Sequence, residues 1–105
     1  MSFSDNLRTL PAIDHLRALH LLDDSGATVA SIPNQAGKAG SLTVYAALAA
    51  KHGAITPAAA EEGLLLFAEH TEDARQHPGS HPNIDRLFDI IRTGKALAVR
   101  TEAAA

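Results

Sequence analysis

The apolar positions of this chain change their spacing several times, and each change marks an element. Near the start, Leu7 and Leu10 lie one turn apart, which predicts a short helix over 1–9, capped by Ser4 and ended by Pro11. From Ile13 to Leu22 the period drops to two. Leu16, Ala18, His20 and Leu22 alternate with Arg17, Leu19 and Leu21, so this is a strand with both faces partly apolar. Asp23-Asp24-Ser25-Gly26 is a turn in which Gly26 supplies the positive φ of a bulged hairpin. Ala27–Ile32 returns as a second strand anchored by Val29 and Ile32.

The pattern then turns helical. Pro33–Gly40 (PNQAGKAG) is a loop, and Leu42–His52 puts Leu42, Tyr45, Leu48 and Ala49 on one helical face. Ser41 is its expected N-cap and Gly53 its C-cap. Thr56 and Pro57 form a cap followed by a first-turn proline, opening a helix expected to run to about Gln76. Glu61 and Glu62 suit its positive end. Leu64-Leu65-Leu66-Phe67 is apolar on every side, which implies a central helix or a partner contact. Pro78 and Gly79 break the pattern. A third helix starts at Pro82 or Asn83, carries Ile84, Leu87, Phe88 and Ile91 as a stripe, and stops at Gly94. Ala96–Thr101 is a last strand with Leu97 and Val99 on one face, and the tail, 102–105, is expected to fray.

The order is β-β-α-α-α-β. A lone last strand cannot satisfy its backbone, so it must rejoin the hairpin. The fold class is α+β: a small, mainly antiparallel sheet, made of the N-terminal hairpin and the C-terminal strand, packed against three helices. The 105 residues, 1–105, make a single domain. With three Phe, one Tyr and no Trp, the core is aliphatic. The absence of cysteine removes disulfides, thiolate metal sites and thiol catalysis, and fits a reducing compartment. No apolar run has the length of a signal peptide or a membrane span, so the expectation is a cytoplasmic protein with no membrane partner.

Charge is uneven. Residues 1–56 carry four acids and four bases, residues 57–105 eight acids and five bases, and the net charge is −3. An acidic second half repels phosphate backbones. The two helices around Gly53–Thr56 have helix-turn-helix spacing, but the second begins Ala58-Ala59-Ala60-Glu61-Glu62, which cannot read a DNA groove. A nucleic-acid partner is therefore not expected.

Two segments suggest chemistry. The first is Glu69–Asp85 (EHTEDARQHPGSHPNID), with His70, His77 and His81 among carboxylates. On a helix His70, Asp73 and His77 fall within about 60° of one another. His81 can fold back past Pro78-Gly79, with Glu69 and Asp85 as outer partners. Such a set suits a divalent transition metal such as zinc, although it matches no HExxH-type signature. Histidines near carboxylates also suit a pH sensor. Ser80, His81 and Asp85 lack the setting of a catalytic triad. The second segment is Gly37-Lys38-Ala39-Gly40-Ser41, where free N–H groups at a helix start, with Lys38, suit a phosphate or carboxylate. Lys38, Gly40 and Ser41 are its candidate ligands, and the Walker spacing is absent.

Ile32–Gly53 (IPNQAGKAGSLTVYAALAAKHG) and Glu61–Leu87 (EEGLLLFAEHTEDARQHPGSHPNIDRL), with the chain length, resemble a family of short bacterial proteins described only as a domain of unknown function. The resemblance covers nearly the whole chain. It implies a bacterial, cytoplasmic protein and brings no activity, cofactor or catalytic residue.

Three functional readings follow. The foremost is a small non-enzymatic binding or regulatory protein, as a homodimer or with a protein partner. The second is a metal-binding protein or metal-dependent hydrolase using His70, Asp73, His77 and His81. The third is an anion-binding module at Gly37–Ser41.

Overall fold

The computed structural model describes residues 2–104; Met1 and Ala105, the outermost positions of the expected first helix and tail, lie outside it. Its elements are α1 (Phe3–Arg8), β1 (Leu16–Leu22), β2 (Thr28–Pro33), α2 (Ala39–His52), α3 (Pro57–Phe67), α4 (Glu69–Gln76), α5 (Pro82–Thr93) and β3 (Ala98–Ala103). The β-β-α-α-α-β order stands, with α1 added in front and the middle helix divided. The sheet is antiparallel in the order β2-β1-β3, so the last strand does rejoin the hairpin. The Cα radius of gyration is 12.7 Å, close to the roughly 13 Å expected for this length. No helix of the described residues is long and apolar enough to cross a membrane.

Alternation along β1 decides which face meets the helices. Leu19 pairs with Ile32 and Thr101, and Leu21 with Ala30 and Val99. Leu19, Leu21 and Ile32 are buried against Leu42, Tyr45 and Leu48 of α2, Phe67 of α3, and Ile84, Leu87 and Ile90 of α5. Each such side chain contributes about 1.5–3 kcal/mol by leaving water. A two-bond bridge between Ile55 and Leu97 ties the α2–α3 connection to the segment entering β3.

Local chemistry sets most ends. At the hairpin, Gly26 has φ +86° and Asp23 Oδ1 accepts from the amides of Ser25 and Ala27. The register shifts beside it, between Leu21 and Leu22. Thr56 caps α3 by accepting from the Ala59 amide, with Pro57 following. Gly53 and Gly94 end α2 and α5 in the left-handed conformation.

Several boundaries differ from the sequence reading. Ser2, not Ser4, caps α1, because Ser2 and Asp5 form a reciprocal capping box. Helix α2 starts earlier, at Ala39; its N-cap is Lys38, which makes no side-chain cap bond, so Ser41 lies inside the first turn. Ile13 is buried but precedes β1, since the Leu16 amide turns back to the Ile13 carbonyl. Strand β3 is shifted towards the C-terminus and takes in Glu102 and Ala103. In the Leu64–Phe67 run only Phe67 is fully in the core, while Leu65 is 77% exposed.

The expected helix from Thr56 to Gln76 is broken at Ala68. That residue has φ +51° and ψ −117°, a backbone state that costs an L-residue of order 1–3 kcal/mol. The break leaves carbonyls of α3 without helical partners, and side chains take them. The Thr71 hydroxyl donates to the Leu64 carbonyl at 2.6 Å, and Asn6 Nδ2 to the Leu66 carbonyl at 3.0 Å. Replacing Ala68 by Gly is expected to raise unfolding stability by about 1 kcal/mol, by relieving the strain at some cost in chain entropy. Thr71→Val is expected to lower it by about 1–3 kcal/mol, leaving the half-buried Leu64 carbonyl unpaired. Urea unfolding of the two variants reads both, and equal midpoints for both variants and the parent would contradict this account of the break.

Candidate functional site

The break at Ala68 makes a seat for α1. The Phe3 amide donates to Glu69 Oε1 at 2.8 Å, and this bond is the main reason the Glu69 carboxyl is held below its ordinary range. The Phe3 ring stacks on Phe67, with centroids 5.4 Å apart, and meets His70 edge-on at 4.9 Å. Its other neighbour is Gly40 in the first turn of α2, where an added Cβ would lie 3.0 Å from the ring. Helix α1 thus lies across the starts of both α2 and α4.

Beside it opens a cleft of about 600 Å³. One wall is the start of α2, with Lys38, Ala39, Gly40 and Ser41. The facing wall is the entry to α5, with Ser80, His81, Pro82 and Asn83, followed by Arg86 one turn on. Phe3, Leu7, Ile32, Phe67 and Ile84 supply the apolar surface, and His70 borders it. No Asp or Glu lines the cleft. The chain is net negative, yet the charged side chains of this cleft are Lys38 and Arg86. Neither pairs with a carboxylate among the described residues. The Gly40, Ser41 and Asn83 amides have no hydrogen-bond partner among those residues either, as expected for first-turn N–H groups.

Arg86 is positioned rather than loose. Its Nη1 donates to Asn83 Oδ1 at 2.8 Å and to the Tyr45 hydroxyl at 3.1 Å, and its guanidinium lies 5.6 Å from the Tyr45 ring centre. The Tyr45 hydroxyl in turn donates to the Asn83 carbonyl. Burial pushes its pKa up to about 12, although the Arg86 charge pulls the other way.

The histidine cluster resolves into pairs. Asp73 Oδ2 accepts from His81 Nε2 at 2.6 Å, and Oδ1 from His77 Nδ1 at 3.2 Å. The His81 hydrogen bond is the main reason the Asp73 carboxyl is held below its ordinary range. The His70 and His81 rings lie 5.6 Å apart. His70 and His81 therefore face the cleft, Asp73 orients His81 from behind, and His77 stays outside it, 64% exposed. Among the described residues no group of three or more His, Asp or Glu is arranged to hold a metal ion. Glu69 and Asp85 accept instead from backbone amides, those of Phe3 and Gly79, and the Ser80 hydroxyl donates to the His77 carbonyl.

The two sequence segments with candidate chemistry are thus opposite walls of one cleft: Lys38, Gly40 and Ser41 on one side, His70 and His81 on the other. Sequence reasoning missed Asn83, Arg86 and the ring pair Phe3–Phe67. A signal for the first two was present: Asn83 and Arg86 are spaced i, i+3 in the first turns of a helix opened by proline, a position suited to an anion. No local signal brings Phe3 to Phe67.

A family model described as "Uncharacterized protein conserved in bacteria (DUF2322)" matches residues 3–101. No curated protein and no solved structure matches the chain.

Tyr45 is the one tyrosine of the chain, so its ionisation can be followed directly at 295 nm. The native midpoint is expected near pH 12, against about 10 for unfolded chain. A raised folded pKa contributes stability that is full below pH 10 and lost as the pH rises towards 12. The loss is about 2–3 kcal/mol, at roughly 1.4 per unit. Tyr45→Phe should flatten that alkaline slope, and a native midpoint near 10 would show that the hydroxyl is not buried.

Proposed function

The chain belongs to this bacterial family, DUF2322, and we propose that it is a small binding protein whose cleft takes an organic anion: a phosphate or carboxylate joined to an apolar or aromatic body. One observation carries the reading. Lys38, Arg86, two imidazoles and the starts of two helices converge on a space with apolar walls and no carboxylate. An anion there meets positive helix ends and free amides at once. Its apolar part lies against Phe3, Leu7, Ile32 and Phe67, which a bare inorganic ion would leave in water. The volume is in the range usual for small-molecule sites.

The division of labour follows from the chemistry. Lys38 is a flexible point charge at the mouth. Arg86, fixed by Asn83 and Tyr45, presents its remaining N–H groups in a set plane, which suits two oxygens of one anion. Around Lys38 and Arg86 no nucleophile is paired with a base, so binding is the function this arrangement supports.

Calorimetry with phenyl phosphate, inorganic phosphate and phenol tests the proposal. Phenyl phosphate is expected to bind tightest, with affinity falling as salt rises. Arg86→Ala and Lys38→Ala should each weaken it about tenfold, the scale of one charge-assisted hydrogen bond. Arg92→Ala, whose side chain pairs with Asp89 outside the cleft, should leave it unchanged. Lys38 is exposed, so its replacement does not threaten the fold. Equal binding of phenol and phenyl phosphate, or no loss in either cleft variant, would overturn the reading.

A further inference from the structure

The face of the sheet turned away from the helices carries a row of polar side chains across all three strands. Register puts His20 of β1 opposite Ser31 of β2 and diagonal to Glu102 of β3. The Ser31 hydroxyl lies 2.7 Å from His20 Nδ1, and His20 Nε2 lies 3.0 Å from Glu102 Oε1. Arg17 Nε sits 3.4 Å from the other Glu102 oxygen. The imidazole is 15% exposed, whereas Ser31 is open to solvent.

The chemistry of the groups gives this row a direction. Arg17 and the His20 hydrogen bond favour an ionised Glu102, and the His20 bond is the main reason its carboxyl is held below the ordinary range. An ionised carboxylate only accepts, so Nε2 carries the ring proton. In the neutral ring Nδ1 is then the acceptor, and the Ser31 hydroxyl donates to it. Hydroxyl, base and orienting carboxylate thus stand in the order that activated nucleophiles require. The ring nitrogens are used in the opposite sense to that of serine proteases.

We propose that Ser31 is a nucleophile towards acyl esters, with His20 as its base and Glu102 as the positioning residue. Ser31 Oγ bonds to the acyl carbon while its proton passes to His20 Nδ1. The tetrahedral adduct collapses, the C–O bond to the alcohol breaks, and the alcohol leaves with that proton. Water, deprotonated by the same nitrogen, then cleaves the acyl-serine to the carboxylic acid and restores the hydroxyl. Ser31 also borders the cleft, but its attack on an ester does not require the anion binding proposed there.

A neutral alkyl fluorophosphonate tests the nucleophile directly. The P–O bond to Ser31 forms as fluoride leaves, and peptide mass spectrometry locates the adduct. The full chain is expected to be labelled at Ser31, and Ser31→Ala not at that position. His20→Gln and Glu102→Gln should slow Ser31 labelling about 100-fold, the usual scale of a general base, with unchanged melting temperature and circular dichroism. Should His20→Gln fold poorly, Glu102→Gln carries the test, because Glu102 is half-exposed. Its ¹⁵N ring shifts should show the His20 proton moved from Nε2 to Nδ1. No adduct on Ser31, or labelling at an unchanged rate in the folded variants, would make the row a structural ladder and overturn the proposal.

Discussion

The break at Ala68 is the constraint on which the rest of the structure depends. A continuous helix would pair the Ala68 amide with the Leu64 carbonyl. Instead that amide reaches Leu65, and the Thr71 hydroxyl takes the Leu64 carbonyl. The change of axis leaves the Leu66 carbonyl for Asn6 and the Glu69 side chain for the Phe3 amide. Helix α1 is too short to be stable alone, and it is held at this joint by those two bonds and the Phe3–Phe67 stack. From there Phe3 closes over Gly40 and walls the cleft. A strained alanine of order 1–3 kcal/mol is thus coupled to the seating of a distant segment and to the shape of the site.

Charge distribution completes the cleft. Five of the twelve acids of this net-negative chain are paired with Lys or Arg outside it. Glu62 meets Lys51 and His52, Glu72 meets Arg75, Asp89 meets Arg92, Asp5 meets Arg8, and Glu102 meets Arg17 and His20. Exposed pairs of this kind add little stability. Four bases are left without a carboxylate partner among the described residues, Lys38, Arg86, Lys95 and Arg100, and two of them, Lys38 and Arg86, face the same space. Asp73 is turned to His81 and His77 and reaches the cleft only by orienting an imidazole.

Much of this was legible in the sequence, for local reasons. Asp23–Gly26 encodes its turn, Thr56-Pro57 and the glycines at 53 and 94 encode helix ends, and the alternation in β1 encodes the buried face. The break at Ala68 was not legible, because alanine is the best helix former and nothing beside it forbids a helix. What stabilises the break is tertiary: a hydroxyl three residues on and an asparagine from α1. The start of α2 was missed for a related reason. Ser41 looks like a cap, but the loop before it already turns at Gln35, whose carbonyl accepts from Lys38 and Ala39, so the helix begins sooner. The candidate residues were found as two separate lists. Only the fold shows that Lys38–Ser41 and His70–His81 face each other, and that Arg86 stands between them and Tyr45.

The most direct test of the central claim is an amide and guanidinium NMR titration of the full chain with phenyl phosphate. Saturable shifts are expected at Gly40, Ser41 and Asn83 and at the Arg86 Nε–H, with aromatic contacts to Phe3 and Phe67. Shifts that do not saturate, or that fall on residues away from the cleft while those four stay fixed, would contradict it.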